Sequence, residues 1–359
     1  MIVDCAVYRD GRRRQSGPLD VTQAFDRRDD GDFVWLGTVD PSPGELDRIR
    51  QLFGLHELAV EDAREFHLRP KVGQFEGTPG AGGAVRLIIL RTARYDAARK
   101  EIDFGEISVF VADDFVITVR QGAASELKSA RARLERRPEL LRLGTPAVVW
   151  AILDTVVDGY APVIGEVERD IEQLEGTVFS GAVAPTERIY FLRREVSNFY
   201  RAVHPLPAVV AAVERTAPDP LAPYLRDVHE NLSLVNEEVA AHRDLLSTVL
   251  QANIAVISVE QTAIGVQQNA TIETLTKLST IFLPLTFVTG FFGQNFGWLV
   301  DHIASPQAFV FYGLGALVLP LIALLSWFRI SGGRRAGVIE NPAGTASSAL
   351  SWPSAPTST

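Results

Sequence analysis

Apolar and polar residues are distributed unevenly along this chain. Up to about Gln121, short apolar runs alternate with polar stretches. FVWLGTV (33–39), VRLIILRTARY (85–95) and ISVFVADDFVITVR (107–120) are rich in β-branched and aromatic residues, and Ala112-Asp113-Asp114 divides the last as a hairpin turn would. Between the first two, SPGELDRIRQLFGL (42–55) sets Ser42 as a cap before Pro43 at the first helical position, which predicts a helix. PGAGG (79–83) marks a turn. The pattern predicts an α/β domain over residues 1–124.

From Ser125 the apolar residues recur at three-to-four spacing, through SELKSARARLERRPELLR, then PAVVWAILDTVVDGYAPVIGEVERDIEQLEGTVFSG, then PTERIYFLRREVSNFYRAVHPLPAVVAAVER. These predict a helical part over 125–222. No proline occurs between Pro223 and Pro284, so that stretch can form a single helix on the order of 90 Å long. Its first part, a stalk over 223–277, carries Leu232, Val235, Val239, Leu246, Val249 and Val256 as the seam of a helix packed on partners. His242 and Asn253 take two seam positions and are read as register-setting or solvent-facing polar residues.

Two further runs hold no charged residue, Leu278–Val300 and Ile303–Phe328. Each is long enough to cross about 30 Å of hydrocarbon as a helix, and runs of this length are rare in soluble cores. They predict membrane helices over 278–296 and 307–329, joined by an external loop over 297–306. Only Asp301 and His302 lie between the runs, whereas Arg329, Arg334 and Arg335 follow the second, so both termini are expected in the cytoplasm. Residues 330–359, rich in Ser, Ala, Pro and Thr, are expected to form a disordered tail.

The first membrane run has a stripe. Continued at three-to-four spacing, Asn269, Ile272, Thr276, Ser279, Leu283, Thr286 and Gly290 share one side, while bulky residues such as Phe282, Leu285 and Phe287 occupy the others. Small and hydroxyl residues in such a stripe fit helix–helix packing. They equally fit a water-filled pore built from several copies of the helix. The pattern leaves both readings open. Pro284 removes one backbone hydrogen bond, which neighbouring helices tolerate.

Composition narrows the function. A net charge of −9 among 359 residues argues against nucleic acid as the main partner. Cys5 stands alone, so no intramolecular disulfide scaffold forms. MIVDCAVYRDGRRR has no apolar h-region, and no secretory leader is expected. No nucleophile–base set and no phosphate loop is present in the pattern, so an enzyme is not expected, nor a resident cofactor.

TIFLPLTFVTGFFGQN, a short loop and a second membrane helix resemble the CorA-type divalent cation transporters, whose signature is Gly-x-Asn after a PLTF segment. HELAVEDAREFHLRPKV (56–72), EISVFVADDFVITVR and ERIYFLRREVSNFYRAVHPL resemble further family segments, in the family's order over most of 30–330. The resemblance implies a homopentameric funnel in the plasma membrane. An α/β cytoplasmic domain is followed by a long stalk helix and two transmembrane helices.

It implies pore positions one by one. Asn295, with Gly293 before it, stands at the outer mouth, Thr286 and Asn269 form polar stations, and Leu283, Ile272 and Leu275 form hydrophobic constrictions. Five of these lie on or beside the stripe, which favours the pore over packing alone. Gly-x-Asn also ends helices well, so Asn295 is expected to cap as well as to face the pore. The substrate implied is Mg²⁺, with Co²⁺ or Ni²⁺ beside it, moved passively, and Mg²⁺ can also act as a regulatory ligand. RDVHEN (226–231) resembles the segment that supplies a sensor aspartate, which makes Asp227 a candidate regulatory ligand; an exposed helical aspartate is the alternative.

Gln294 departs from the family's usual methionine, which leaves a zinc transporter of the same architecture as one alternative. A non-conducting membrane-anchored cation sensor is another. His302 is a candidate transient ligand for softer metals, or a solvated loop histidine. EVERDIEQLEG (166–176) reads as a solvated acidic face, and Glu61 and Asp62 as residues that hold their domain together.

Overall fold

The computed structural model describes residues 1–15, 17, 19–76, 83–123, 126–180, 186–294, 297–302 and 304–336. The chain divides into two compact units, Met1–Ser258 and Val259–Thr359.

The first unit is built on a seven-stranded sheet of order β2-β1-β3-β7-β6-β5-β4. The strands are β1 (Ile2–Arg9), β2 (Arg12–Arg13), β3 (Phe33–Val39), β4 (Lys71–Phe75), β5 (Val85–Asp96), β6 (Glu101–Val111) and β7 (Phe115–Gly122). All neighbours are antiparallel except β3 and β7, which run parallel. β6 and β7 form the expected hairpin, closed by the Ala112 N–H donating to the Phe115 carbonyl at 3.0 Å.

Alternation along the strands sorts their side chains onto two faces. Cys5, Val34, Leu36, Leu87, Ile89 and Ile117 point to one core. Helices α1 (Val21–Asp26), α2 (Pro43–Phe53) and α3 (Glu57–Asp62) cover that side. Tyr8, Trp35, Ile88, Leu90, Ile107 and Val109 point to the other, larger core. It is covered by α4 (Lys128–Glu135), α5 (Pro138–Leu141), α6 (Thr145–Asp158), α7 (Tyr160–Phe179), α8 (Thr186–Val203), α9 (Leu206–Glu214) and the start of α10 (Ala222–Phe292). The sheet is therefore the middle layer of three.

Local chemistry accounts for several boundaries. α2 starts in a complete capping box, Ser42 with Glu45, and stops at Gly54, which takes the left-handed conformation at φ 61°. The helical segment SELKSARARLERRPELLR forms two helices, α4 and α5. Pro138 supplies no N–H and its ring crowds the carbonyl four residues back, so α4 stops short of it and Pro138 takes the first turn of α5. α6 and α7 together are long and apolar enough to cross a membrane, yet 67% of their most apolar window is buried inside the protein. Their apolar surface goes into the large core.

α10 is one helix of 71 residues that passes through Pro284. Leu232, Val235, Val239, Leu246 and Val249 are buried, as their spacing predicts, and Val256 is half-buried. Asn253 is fully buried rather than solvent-facing.

The second unit continues α10 and adds α11 (Gly297–His302), α12 (Pro306–Ala308), a π-helical stretch over Phe309–Leu314 and α13 (Gly315–Ala336). The loop expected over 297–306 thus holds a helix, fastened by Trp298 and His302 one turn apart. Their rings stack at 4.4 Å, and His302 Nδ1 lies 2.8 Å from the Trp298 carbonyl. α13 also continues past Arg329 to Ala336, into the segment where the tail was expected to begin; residues 337–359 lie outside the described residues.

Two polar readings change. EVERDIEQLEG is only partly a solvated face, because Asp170 is buried there. It accepts from the Tyr95 hydroxyl at 2.5 Å, Lys100 Nζ at 3.0 Å and Arg188 Nη2 at 2.9 Å. Asp62 pairs with Lys71 Nζ at 2.8 Å, whereas Glu61 is exposed.

Candidate functional site

The residues expected at the pore lie on the last part of α10 and just beyond it. At about 100° per residue, Asn269, Ile272, Leu275, Leu283, Thr286 and Gly293 fall within an arc of about 120°. Ile281, Pro284, Leu285 and Val288 fall within about 100° on the opposite side. These last four line a narrow crevice together with Ala316, Leu317, Pro320, Leu321 and Leu324 of α13. The two membrane helices therefore pack through the side of α10 that faces away from the stripe. Among the described residues of this unit nothing covers the stripe: Leu283 is 74% exposed, and Asn269, Ile272, Leu275 and Thr286 are exposed as well.

Hydroxyl groups along this part of α10 are tied to their own helix. Thr286 Oγ1 donates to the Phe282 carbonyl at 2.8 Å, and Thr280 Oγ1 to the Thr276 carbonyl at 2.7 Å. Such bonds occupy the hydroxyl hydrogen and leave the oxygen lone pairs directed outward. Pro284 offers no N–H to the Thr280 carbonyl, so that acceptor is freed from the main-chain ladder at the membrane level. On the stripe, Leu275, Thr276, Ser279 and Leu283 border an open hollow with Thr280 and Pro284.

At the end of α10, the Gly293 N–H still donates to the Thr289 carbonyl at 2.9 Å, and the Gln294 N–H reaches the Phe291 carbonyl at 3.3 Å. Gly293 is absent from the glycines with positive φ, so it prolongs the helical turn and is not a left-handed cap. A Cβ at that position would stand 3.1 Å from the Thr289 carbonyl, a tight approach that glycine avoids. Gln294 is exposed. Asn295, the motif asparagine, lies outside the described residues, and so does its expected capping role. Phe287, Phe291 and Phe292 form a short aromatic ladder beneath this end, with ring centroids 6.5 and 5.5 Å apart.

Asp227 sits in the first turns of α10, exposed, with Asn231 Nδ2 at 3.5 Å. No sequence pattern pointed to its neighbour Asp154, which lies one turn before Asp158 near the end of α6. Burial raises the pKa of Asp154, and the charges of Asp158 and Asp227 add to the rise. Arg133 opposes them, paired with Asp154 and 3.8 Å from Asp158. Among the described residues no three His, Cys, Asp or Glu side chains converge as a metal-binding set.

The model of the family described as CorA-like Mg²⁺ transporter protein matches residues 30–330. The chain belongs to this family. It is 25% identical over 295 residues to the cobalt/magnesium transport protein CorA of Thermotoga maritima, with 80% of each chain covered. A putative metal ion transporter of Bacillus subtilis is also 25% identical, over 82% of this chain and 88% of the relative. A zinc transport protein of Pectobacterium carotovorum is 24% identical over 73% of this chain and 75% of its own length. Among solved structures, full-length CmaX has the same fold at a TM-score of 0.62, with 21% identity over 93% of this chain and 97% of that one. The complete CorA magnesium transporter of Methanocaldococcus jannaschii follows at 0.58, with 17% identity over 92% and 98%. The expected architecture, an α/β domain leading into a long helix and two membrane helices, is that of the family's full-length members.

Proposed function

We propose that this protein carries hydrated divalent cations, Mg²⁺ first and Co²⁺ or Ni²⁺ beside it, passively across the plasma membrane into the cytoplasm. It does so as a homopentamer whose α10 helices line the pore. The observation that carries this reading is the direction of the stripe: in a member of this family, the polar side of α10 points away from the helix that α10 packs on. A ring of copies would bring five such sides together.

In this reading residues 1–124, 125–222 and the stalk 223–277 are cytoplasmic, the membrane helices span 278–296 and 307–329, and the 297–306 connection is external. Mg²⁺ gives up its inner waters reluctantly, so a pore suited to it offers neutral oxygens to the hydration shell instead of a carboxylate cage. The side chain of Asn295 and the backbone of Gly293 supply such oxygens at the mouth, and Thr286 and Asn269 supply them further along. Rings of Ile272, Leu275 and Leu283 close the path by dewetting. The membrane potential drives entry with about 2.3 kcal/mol per charge per 100 mV. Asp227, together with a cation between subunits, serves as the regulatory contact.

Purified protein in liposomes tests the reading, with Mg²⁺, Co²⁺, Ni²⁺ and Zn²⁺ fluxes measured side by side. Mg²⁺ entry that vanishes in Asn295→Ala supports it, and unaltered entry in that variant removes Asn295 from the mouth. Gln294 favours a second reading, a zinc transporter, because it stands where relatives usually carry methionine. Zn²⁺ outcompeting Mg²⁺ would select that one. No flux of any metal, with cation-dependent protease protection retained, would identify a sensor instead. Unchanged Mg²⁺ inhibition in Asp227→Ala would exclude Asp227 from gating.

A further inference from the structure

A cleft of about 560 Å³ opens in the first unit, where β1, β3 and β7 meet the start of α4. The transport path makes no use of it. Four cationic side chains line it, Arg13, Arg120, Lys128 and Arg131, against two carboxylates, Asp4 and Glu126. On a chain of net charge −9, such a concentration of cations runs against the overall balance.

The carboxylate of Asp4 is divided between two guanidinium groups. Arg13 grips both of its oxygens, at 2.7 and 3.2 Å, and Arg131 Nη1 donates to Oδ2 at 2.6 Å. Arg13 has a further, longer ion pair to Glu135 at 3.6 Å, and Glu135 is itself engaged by the Tyr8 hydroxyl at 2.6 Å. Arg131 is buried and fixed in place. Its Nη2 donates to the Trp35 carbonyl at 3.1 Å, and its guanidinium lies 4.2 Å from the indole centroid. Arg13 Nε is buried without a hydrogen-bond partner among the described residues. Arg120 is half-buried, and desolvation lowers its pKa in spite of the nearby charges of Glu126 and Asp40. These cations are held in position ahead of any ligand.

The backbone adds donors of its own. α4 is eight residues long and begins at Lys128, and Leu127, at its N-cap, makes no side-chain hydrogen bond to the first turn. Leu127 and Lys128 both border the cleft, so the start of α4, where a helix carries partial positive charge, lies at its edge. Gly37 lines the floor. A Cβ there would stand 3.6 Å from Thr118 Oγ1, 3.7 Å from the Asp4 carbonyl and 3.9 Å from Arg131 Nη2, which is ordinary contact, so a side chain at this position would begin to occupy the floor.

We propose that this cleft binds a phosphorylated small molecule of up to nucleotide size, its phosphate oxygens taken by the start of α4, Lys128, Arg120 and Arg131. Phosphate fits this donor set because its oxygens accept from several directions at once and pair with guanidinium in two-pronged fashion. The volume suits a nucleotide-sized ligand.

Calorimetric titration of the full-length protein in detergent tests this, in Mg²⁺-free buffer so that the probe is not sequestered. The probes are inorganic diphosphate, ATP and sulfate. At least one of the two phosphate probes is expected to bind, and sulfate about tenfold more weakly or not at all. Lys128→Gln and Gly37→Val are each expected to weaken that binding about fivefold or more, and neither should move the ligand-free unfolding midpoint appreciably. Lys128 is exposed, so its variant reports on the site even if Gly37→Val alters folding. Binding of ATP alone would add a nucleoside to the recognised features. Binding of both probes equally would assign recognition to the phosphate. Sulfate bound as tightly as diphosphate, no binding of either phosphate probe up to about 10 mM, or binding unchanged by Lys128→Gln would each overturn the proposal.

Discussion

Asn253 on α10 donates its side-chain N–H to Thr186 Oγ1 on α8, 3.1 Å away. Asn253 is fully buried on a seam whose other buried residues are aliphatic, so this bond lets α10 meet α8 in one register. Replacing Asn253 with leucine keeps the volume and removes this bond. It is expected to cost about 1–2 kcal/mol. Thermal unfolding of the full-length protein in detergent should show the midpoint falling by a few degrees, and Thr186→Ala, at an exposed position, should cost less.

Thr286 and Val288 lie two residues apart and answer to different surroundings. Thr286→Val preserves shape and deletes the outward oxygen, so Mg²⁺ flux in liposomes is expected to fall severalfold while Thr286→Ser retains most of it. Val288→Asn places an amide against α13. It is expected to lower the yield of folded protein, with the relative fluxes of different metals unchanged in what remains. Equal loss of flux from Thr286→Val and Thr286→Ser would separate Thr286 from the ion path.

Glu195 gives the first unit a pH dependence. Burial raises its pKa above that of a free glutamate, opposed by the Ile102 N–H, which donates to Oε2 at 3.3 Å, and by Arg194; Glu101 and Asp103 reinforce the rise. The folded protein therefore holds this proton more tightly than the unfolded chain. Its contribution to stability is greatest at acidic pH and declines as pH rises from the range of a free carboxylate, about 4.3, through the raised value. Glu195→Gln keeps an acceptor for Ile102 and removes the charge. Melting midpoints between about pH 4.5 and 7 should fall less steeply in this variant than in the parent protein.

Cys5 is fully buried on β1, and burial pushes its thiol pKa up to about 12. The thiolate is the reactive form. An alkylating reagent at about pH 8 should leave the folded protein unlabelled for hours and modify Cys5 rapidly in denaturant. Mass spectrometry before and after unfolding checks both halves. Rapid labelling of the folded protein would mean that β1 opens readily.

Where the pattern repeats locally, it is readable. The Ser42–Glu45 capping box, the turn at Ala112–Asp114 and the uninterrupted run from Pro223 to Pro284 each carry their own signal, and each appears in the fold. The angular arrangement of the stripe was equally accessible, because helical periodicity alone fixes it. What periodicity lacks is a partner. That Ile281, Leu285 and Val288 face α13, and so turn Thr286 away from it, depends on a contact with residues further along the chain, from Ala316 to Leu324. Asp170 misled for the same reason. Its helix has the composition of a solvated face, and only Tyr95, Lys100 and Arg188, drawn from other elements, show that this one acid is buried. β1 carries a weak strand signal because Cys5 and Ala6 dilute its β-branched character, and its place beside β3 is a long-range pairing.

The bond from Thr286 to the Phe282 carbonyl has a consequence for the sign of the ion. With its hydrogen committed inward, this hydroxyl can only accept. Water around a cation turns its hydrogens outward, whereas water around an anion presents oxygen. A ring of Thr286 side chains would welcome the first shell and rebuff the second. In a pore built this way, preference for cations over anions would need no fixed negative charge at this level, only hydroxyls whose protons are already spoken for.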